Sequence, residues 1–172
     1  MFQIHRILSQ DRYTAPVFRG VFPSDKIPAL KNGAYVINTS PSHEATGHWV
    51  AIWKTSNNAE YFDSYGRQPI PSIKRKLKAY THNTVALQSP LSAVCGQYCI
   101  YYLLHRSRGT SLYSMLKQFT WDVDENDQMV FEFVEDNFEL NAKLIDTKEF
   151  VNQLARSLVF STTDSRNTSK LN

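Results

Sequence analysis

Cysteine is scarce: 172 residues contain two, Cys95 and Cys99, too few for a disulfide framework. They stand four apart in one expected helix, where geometry disfavours a mutual bridge, so two free thiols are expected. Long apolar runs are also missing, and nothing approaches the ~20 residues that cross a bilayer. The opening Met1-Phe2-Gln3-Ile4-His5-Arg6 lacks the apolar stretch of a secretory signal. A soluble, intracellular protein without a membrane partner is expected. No repeat is visible, and no Gly/Ser-rich or Pro-rich linker divides the chain. Charged residues make up only 20%, against 42% hydrophobic and 13% aromatic, which argues against disordered, fibrous and collagen-like classes. One domain over residues 1–160 is expected, followed by a flexible polar tail over 161–172.

What charge there is falls unevenly. Residues 1–110 carry thirteen Lys and Arg against five Asp and Glu, whereas residues 111–172 carry six against eleven. The basic half could face a polyanion. Short β-branched or aromatic runs at 35–39, 48–54, 59–63 and 83–88 read as strands, and Ser56-Asn57-Asn58 can close a hairpin between the second and third. After Pro71, Ile73, Leu77 and Tyr80 recur at helical spacing, leaving Lys74, Arg75, Lys76 and Lys78 on a basic face. Cys95 through His105 is apolar almost all round, as a buried central helix should be. Further helical patterns cover 111–119, 126–138 and 147–158, with Val130, Phe131, Val134 and Phe138 assigned to one face of the second. A central mixed or antiparallel sheet flanked by helices makes the class α+β.

A cysteine opening a helix is a chemical signal, because the helix N-terminus stabilises a thiolate. Alone, Cys95 reads more readily as a buried structural thiol. Three residues alter that balance. His48 opens an aromatic strand and can act as general base and acid. Asp63 ends the next strand and can orient the imidazole. Gln88, seven positions before Cys95, can offer side-chain N–H groups to an oxyanion beside the Cys95 main-chain N–H. Gly96 allows close approach of backbone and substrate. A metal site has little support: His43, His48, Cys95 and Cys99 show no zinc-type spacing.

With Gly47-His48-Trp49, Phe62-Asp63-Ser64-Tyr65-Gly66, Gln88 and Cys95-Gly96-Gln97-Tyr98-Cys99 in this order, the chain resembles the adenovirus protease (adenain) family and the related SUMO-deconjugating proteases over residues 16–105. The segment Phe18–Pro28, which contains Asp25, also resembles the substrate-side loop of adenain-like enzymes. The resemblance implies a papain-like architecture with permuted catalytic order. His48 would be the base, Asp63 its partner, Cys95 the nucleophile, and Gln88 part of the oxyanion hole. It also implies peptide substrates with glycine near the scissile bond, among them capsid or core precursors, and Trp49 as a wall of the narrow tunnel that admits them. Location in a host nucleus or cytoplasm, or packaging in a virion, goes with it.

Two departures from adenain matter. Asp63 stands where adenain has Glu, as in the cellular relatives. Residues 64–87 contain no cysteine to receive a disulfide-linked activating peptide. No cofactor is required by the sequence, and a noncovalent peptide or DNA stays open as an activator. The DNA would meet the Lys74, Arg75, Lys76 and Lys78 cluster without sequence specificity. A solvated helix face is the simpler account of that cluster. Two other functions stay open: a deubiquitinase or SUMO-deconjugating enzyme, and a catalytically idle relative that binds nucleic acid or capsid protein.

Overall fold

A computed structural model describes residues 2–138. The helix expected over 147–158, the boundary at 160 and the tail over 161–172 lie outside the described residues. The chain divides into units Met1–Val134 and Glu135–Asn172, and the sheet and the candidate site belong to the first.

The elements run α1 (Phe2–Gln10), β1 (Phe18–Pro23), β2 (Gly33–Asn38), β3 (Trp49–Lys54), β4 (Ala59–Phe62), α2 (Pro71–Lys74), β5 (Tyr80–His82), α3 (Cys95–Ser107), α4 (Leu112–Leu116) and α5 (Val123–Phe138). The five strands form one sheet in sequence order. β2–β3 and β3–β4 are antiparallel, whereas β1–β2 and β4–β5 are parallel, so the sheet is mixed. The polar turn at 55–58 closes the β3–β4 hairpin, with Thr55 N–H donating to the Asn58 carbonyl.

Strand alternation divides the core into two layers. Tyr35, Ile37, Val50, Ile52 and Tyr61 pack on one face with Ile73 and Leu77. Phe62 points to the opposite face, where its ring stacks on Tyr102 of α3 at 4.7 Å. Ala34, Val36 and Ala51 fall on that same face by alternation, and such small side chains let a helix sit close to the sheet. Eight α3 residues from Gly96 to Leu104 are buried, seven of them with side chains, which is why its sequence shows little amphipathic pattern. Phe62→Ala should destabilise the fold by about 3–5 kcal/mol, because it empties a fully buried ring site. Urea denaturation measures this, and a loss under about 1 kcal/mol would show that the layer does not depend on the stacked pair.

The sequence reading differs from the fold in four places. Phe18–Pro23 is an edge strand paired with β2, not only a loop. The expected strand at 83–88 is irregular, and the fifth strand lies at Tyr80–His82 instead. The basic helix is one turn long, Pro71–Lys74, with Ile73 and Leu77 buried and the four cationic side chains exposed. On α5, Phe131 is exposed while Asn126, Asp127, Val130 and Val134 form the buried stripe, so the helix turns two polar residues into the core.

Candidate active site

Three of the four expected site residues stand at element ends and the fourth in a loop. His48 immediately precedes β3, where Thr39 N–H donates to its carbonyl at 2.8 Å. Gly47 is needed beside it: a Cβ there would lie 1.9 Å from Asn38 Oδ1. Asp63 follows β4. The turn after it closes through Gly66 N–H donating to the Asp63 carbonyl, and Gly66 takes φ +66°, with Val85 main-chain atoms under 3 Å from where a Cβ would sit. Cys95 is the first residue of α3, and Gln88 sits in the loop between β5 and α3.

Folding brings His48 and Asp63 into a charge-assisted hydrogen bond, Nε2 to Oδ1, at 2.6 Å. Asp63 is 2% exposed. Its main chain is clasped by Asn83, whose Oδ1 accepts from Asp63 N–H and whose Nδ2 donates to the Asp63 carbonyl. Its Oδ1 also accepts from Tyr65 N–H at 2.8 Å, and the Tyr61 hydroxyl faces the same carboxylate. The Tyr65 ring lies over the imidazole at 4.7 Å. The Cys95 thiol is a further interaction partner of the imidazole, and His48 acts on its ionisation through a side-chain hydrogen bond and charge.

Electrostatics favour the charged pair. Burial pulls the His48 pKa down, but the hydrogen bonds and charges of Asp63 and Cys95 prevail and raise it to about 9. Burial pushes the Cys95 thiol up, yet His48 and the main-chain N–H groups of Trp49 and Gly96 outweigh it and leave the pKa lowered. The end of α3 has no side-chain cap, so its free N–H groups and dipole are available to an anion. Cys99, one turn further along, is wholly buried, and its thiol pKa is driven well up. A thiolate beside an imidazolium, with free N–H groups nearby, can attack a carbonyl and return a proton to a leaving group.

The pH dependence follows in sign. The pair exists above the lowered Cys95 pKa and dissolves as the imidazolium loses its proton near pH 9. Iodoacetamide should alkylate Cys95 with an acid limb below the ordinary thiol range, moving upward in His48→Ala. A midpoint at the ordinary thiol value in both proteins would rule the pair out. Because the folded His48 pKa is raised from 6.5 to about 9, its contribution to stability is complete below pH 6.5 and fades as pH climbs through 9.

No protein-family model matches the sequence, and no curated protein does. Solved structures do. A crystal structure of ASFV pS273R protease superposes with a TM-score of 0.52 at 19% identity, covering 73% of this chain and 62% of that one. The chain shares that fold. A selenomethionine crystal structure of the same protease gives a TM-score of 0.42 at 23% identity over 55% and 41% of the two chains. The chain thus spans about three fifths of the longer protein's length in the better superposition.

Gln88 is present but engaged. It is 1% exposed; its Oε1 accepts from Ser64 Oγ at 2.6 Å, and its Nε2 donates to the Ser92 carbonyl at 3.0 Å and to Ser92 Oγ at 3.1 Å. The Ser92 carbonyl can only accept, which determines the orientation of the amide. Trp49 and Gly96 border a cavity of about 190 Å³ together with Gln97 and with Gln3 and Ile4 of α1. Gly96 also serves packing, since a Cβ there would lie 3.1 Å from Ile4 Cδ1. Asp25 is exposed and binds Ser42, accepting from its N–H and hydroxyl, both at 2.8 Å; it ties the turn after β1 to the loop leading to His48.

Sequence reading missed Tyr65, Asn83, Ser92, Asn126 and Asp127. Asn83 carries no local signal, because its partner Asp63 lies twenty residues away, and Ser92 meets Gln88 four residues off through a loop that no periodicity marks. Asp127 did carry one: it shares a helical stripe with Val130 and Val134, and a carboxylate on an apolar face needs a reason.

Proposed function

We propose that the chain is a cysteine endopeptidase of the adenain type. The carrying observation is His48, bonded to Asp63 at 2.6 Å on one side and to Cys95 at the open end of α3 on the other. The shared fold with ASFV pS273R protease supports the same reading. In the reaction, Cys95 Sγ attacks the scissile carbonyl and His48 passes a proton to the departing amine. Water, deprotonated by His48, then attacks the thioester, releasing the acid and regenerating the thiol. Asp63 holds the imidazole in place throughout.

The Cys95 N–H and Gln88 Nε2 stabilise the oxyanion, with Nε2 exchanging its contact to Ser92 Oγ for the substrate. Gln88→Ala should lower kcat by ~10²–10³-fold with KM little changed. An unaltered kcat removes Gln88 from the role. Substrates are polypeptides with glycine next to the cut, entering past Trp49 and Gly96, and the biological targets are precursor proteins of a virus or virus-like element.

The exposed Lys74, Arg75, Lys76 and Lys78 offer DNA a nonspecific phosphate contact that fades with salt, and a noncovalent peptide is the other activator to try. The test is cleavage of an internally quenched peptide library by the wild-type protein, with the cut sites read by mass spectrometry. Glycine enrichment at the cut supports the reading. Cleavage confined to ubiquitin or SUMO conjugates transfers the protein to the deconjugating branch. No helix among the described residues is long and apolar enough to cross a membrane.

A further inference from the structure

We infer that Asp127 is a positioning residue for the oxyanion side of this site, holding the Gln88 segment at a set distance from the Cys95 helix. The inference rests on the peptidase reading above. Asp127 is 8% exposed, and its hydrogen-bond partners among the described residues are neutral: Oδ2 accepts from Ser89 N–H at 3.2 Å and Oδ1 from the Tyr98 hydroxyl at 2.9 Å. A carboxylate is costly to bury without a cation and stays only where hydrogen bonds offset that cost. Here those bonds join two pieces of the candidate site. Ser89 follows Gln88 directly, and Tyr98 lies on α3, three residues after Cys95.

The other side of Gln88 is fastened by the same groups. The Leu87 carbonyl shares the single Tyr98 hydroxyl proton with Asp127, lying 2.9 Å from that oxygen, and accepts from Asn126 Nδ2 at 3.2 Å. Leu87 and Gln88 N–H both donate to the Ser64 carbonyl, in the segment that also carries Asp63. Residues 87–89 belong to no strand, so no ladder holds them in register. What sets the distance between the two oxyanion donors, Gln88 Nε2 and Cys95 N–H, is this bridge from α5 to α3. Oxyanion stabilisation depends on that distance, and a misplacement of about 1 Å can cost 10²-fold in rate. The imidazole side of the thiolate–imidazolium pair draws on other elements: His48 before β3, Asp63 after β4, and Asn83.

The two halves of the site can therefore be separated by experiment. Asp127→Ala and Tyr98→Phe are compared with wild type in three measurements. These are hydrolysis of a fluorogenic Gly-Gly peptide, inhibition by a peptide ending in glycine aldehyde, and the pH profile of Cys95 alkylation by iodoacetamide. The aldehyde forms a tetrahedral adduct that needs the oxyanion donors, whereas alkylation needs only the thiolate. Asp127→Ala should lower kcat about 10–10²-fold and weaken the aldehyde in parallel, with KM within about 3-fold and the alkylation profile unmoved. In a Gln88→Ala background, adding Asp127→Ala should then cost little more, because Asp127 acts through Gln88.

Unchanged hydrolysis, an equal fall in alkylation, or full additivity with Gln88→Ala overturns the inference. If Asp127→Ala does not fold, Tyr98→Phe decides, since it deletes one hydroxyl: a selective fall in kcat and aldehyde affinity supports the bridge, and wild-type values overturn it. Failure of the peptidase reading looks different: the wild-type protein then neither cleaves nor binds the aldehyde, and its alkylation ignores His48→Ala.

Discussion

Cys95→Ala should abolish peptide cleavage to the background rate while leaving the fold intact. In the proposed mechanism the Cys95 sulfur forms the acyl intermediate, and alanine has no electron pair to donate. Cys99 cannot take over, because its thiol is wholly buried and its pKa is driven up. The substitution also removes one of the two partners that raise His48. An NMR titration should therefore find the imidazole pKa below 9 in the variant yet still above 6.5, because the Asp63 contact remains. Cleavage at the wild-type rate in Cys95→Ala would end the proposal, whatever the titration gave.

His48→Ala carries the second large effect, a loss of ~10²–10⁴-fold in kcat. The base, the acid and the counter-ion of the thiolate vanish together. The effect should not add to that of Cys95→Ala, since nucleophile and base serve one step. Stability should fall as well. Asp63 is 2% exposed, and deleting its imidazole partner leaves a buried carboxylate with, among the described residues, the Tyr65 N–H and the Tyr61 hydroxyl. Thermal melts run beside the kinetics separate the two losses. A variant that keeps wild-type kcat would show that another group takes the thiol proton.

Much of this arrangement could be read before any coordinates. The β3–β4 hairpin was legible because both strands are β-branched or aromatic and Ser56-Asn57-Asn58 separates them. That hairpin already puts residues 48 and 63 at the same end of the sheet. The long apolar run from Cys95 could only be a buried helix. β5 was misplaced by a few residues, since a three-residue parallel strand has too little periodicity to detect. β1 hid for a related reason: its Gly20 takes φ +125° and its register with β2 shifts there, so the alternation expected of a strand is broken. Phe131 reads as part of one apolar face with Val130, Val134 and Phe138, whereas the helical stripe that meets the core runs through Asp127.

From its sequence alone this chain determined the hairpin, the buried helix and the chemical types at positions 48, 63, 88 and 95, because local propensity and hydrophobic pattern suffice for each. Only the tertiary structure decided that the imidazole bridges carboxylate and thiol, that Ser92 occupies the Gln88 amide, and that Asn83 and Asp127 brace the two sides. Apart from the Ser92–Gln88 contact, these join residues distant in the chain, and their distances come from how the sheet, α3 and α5 pack, which no local pattern encodes.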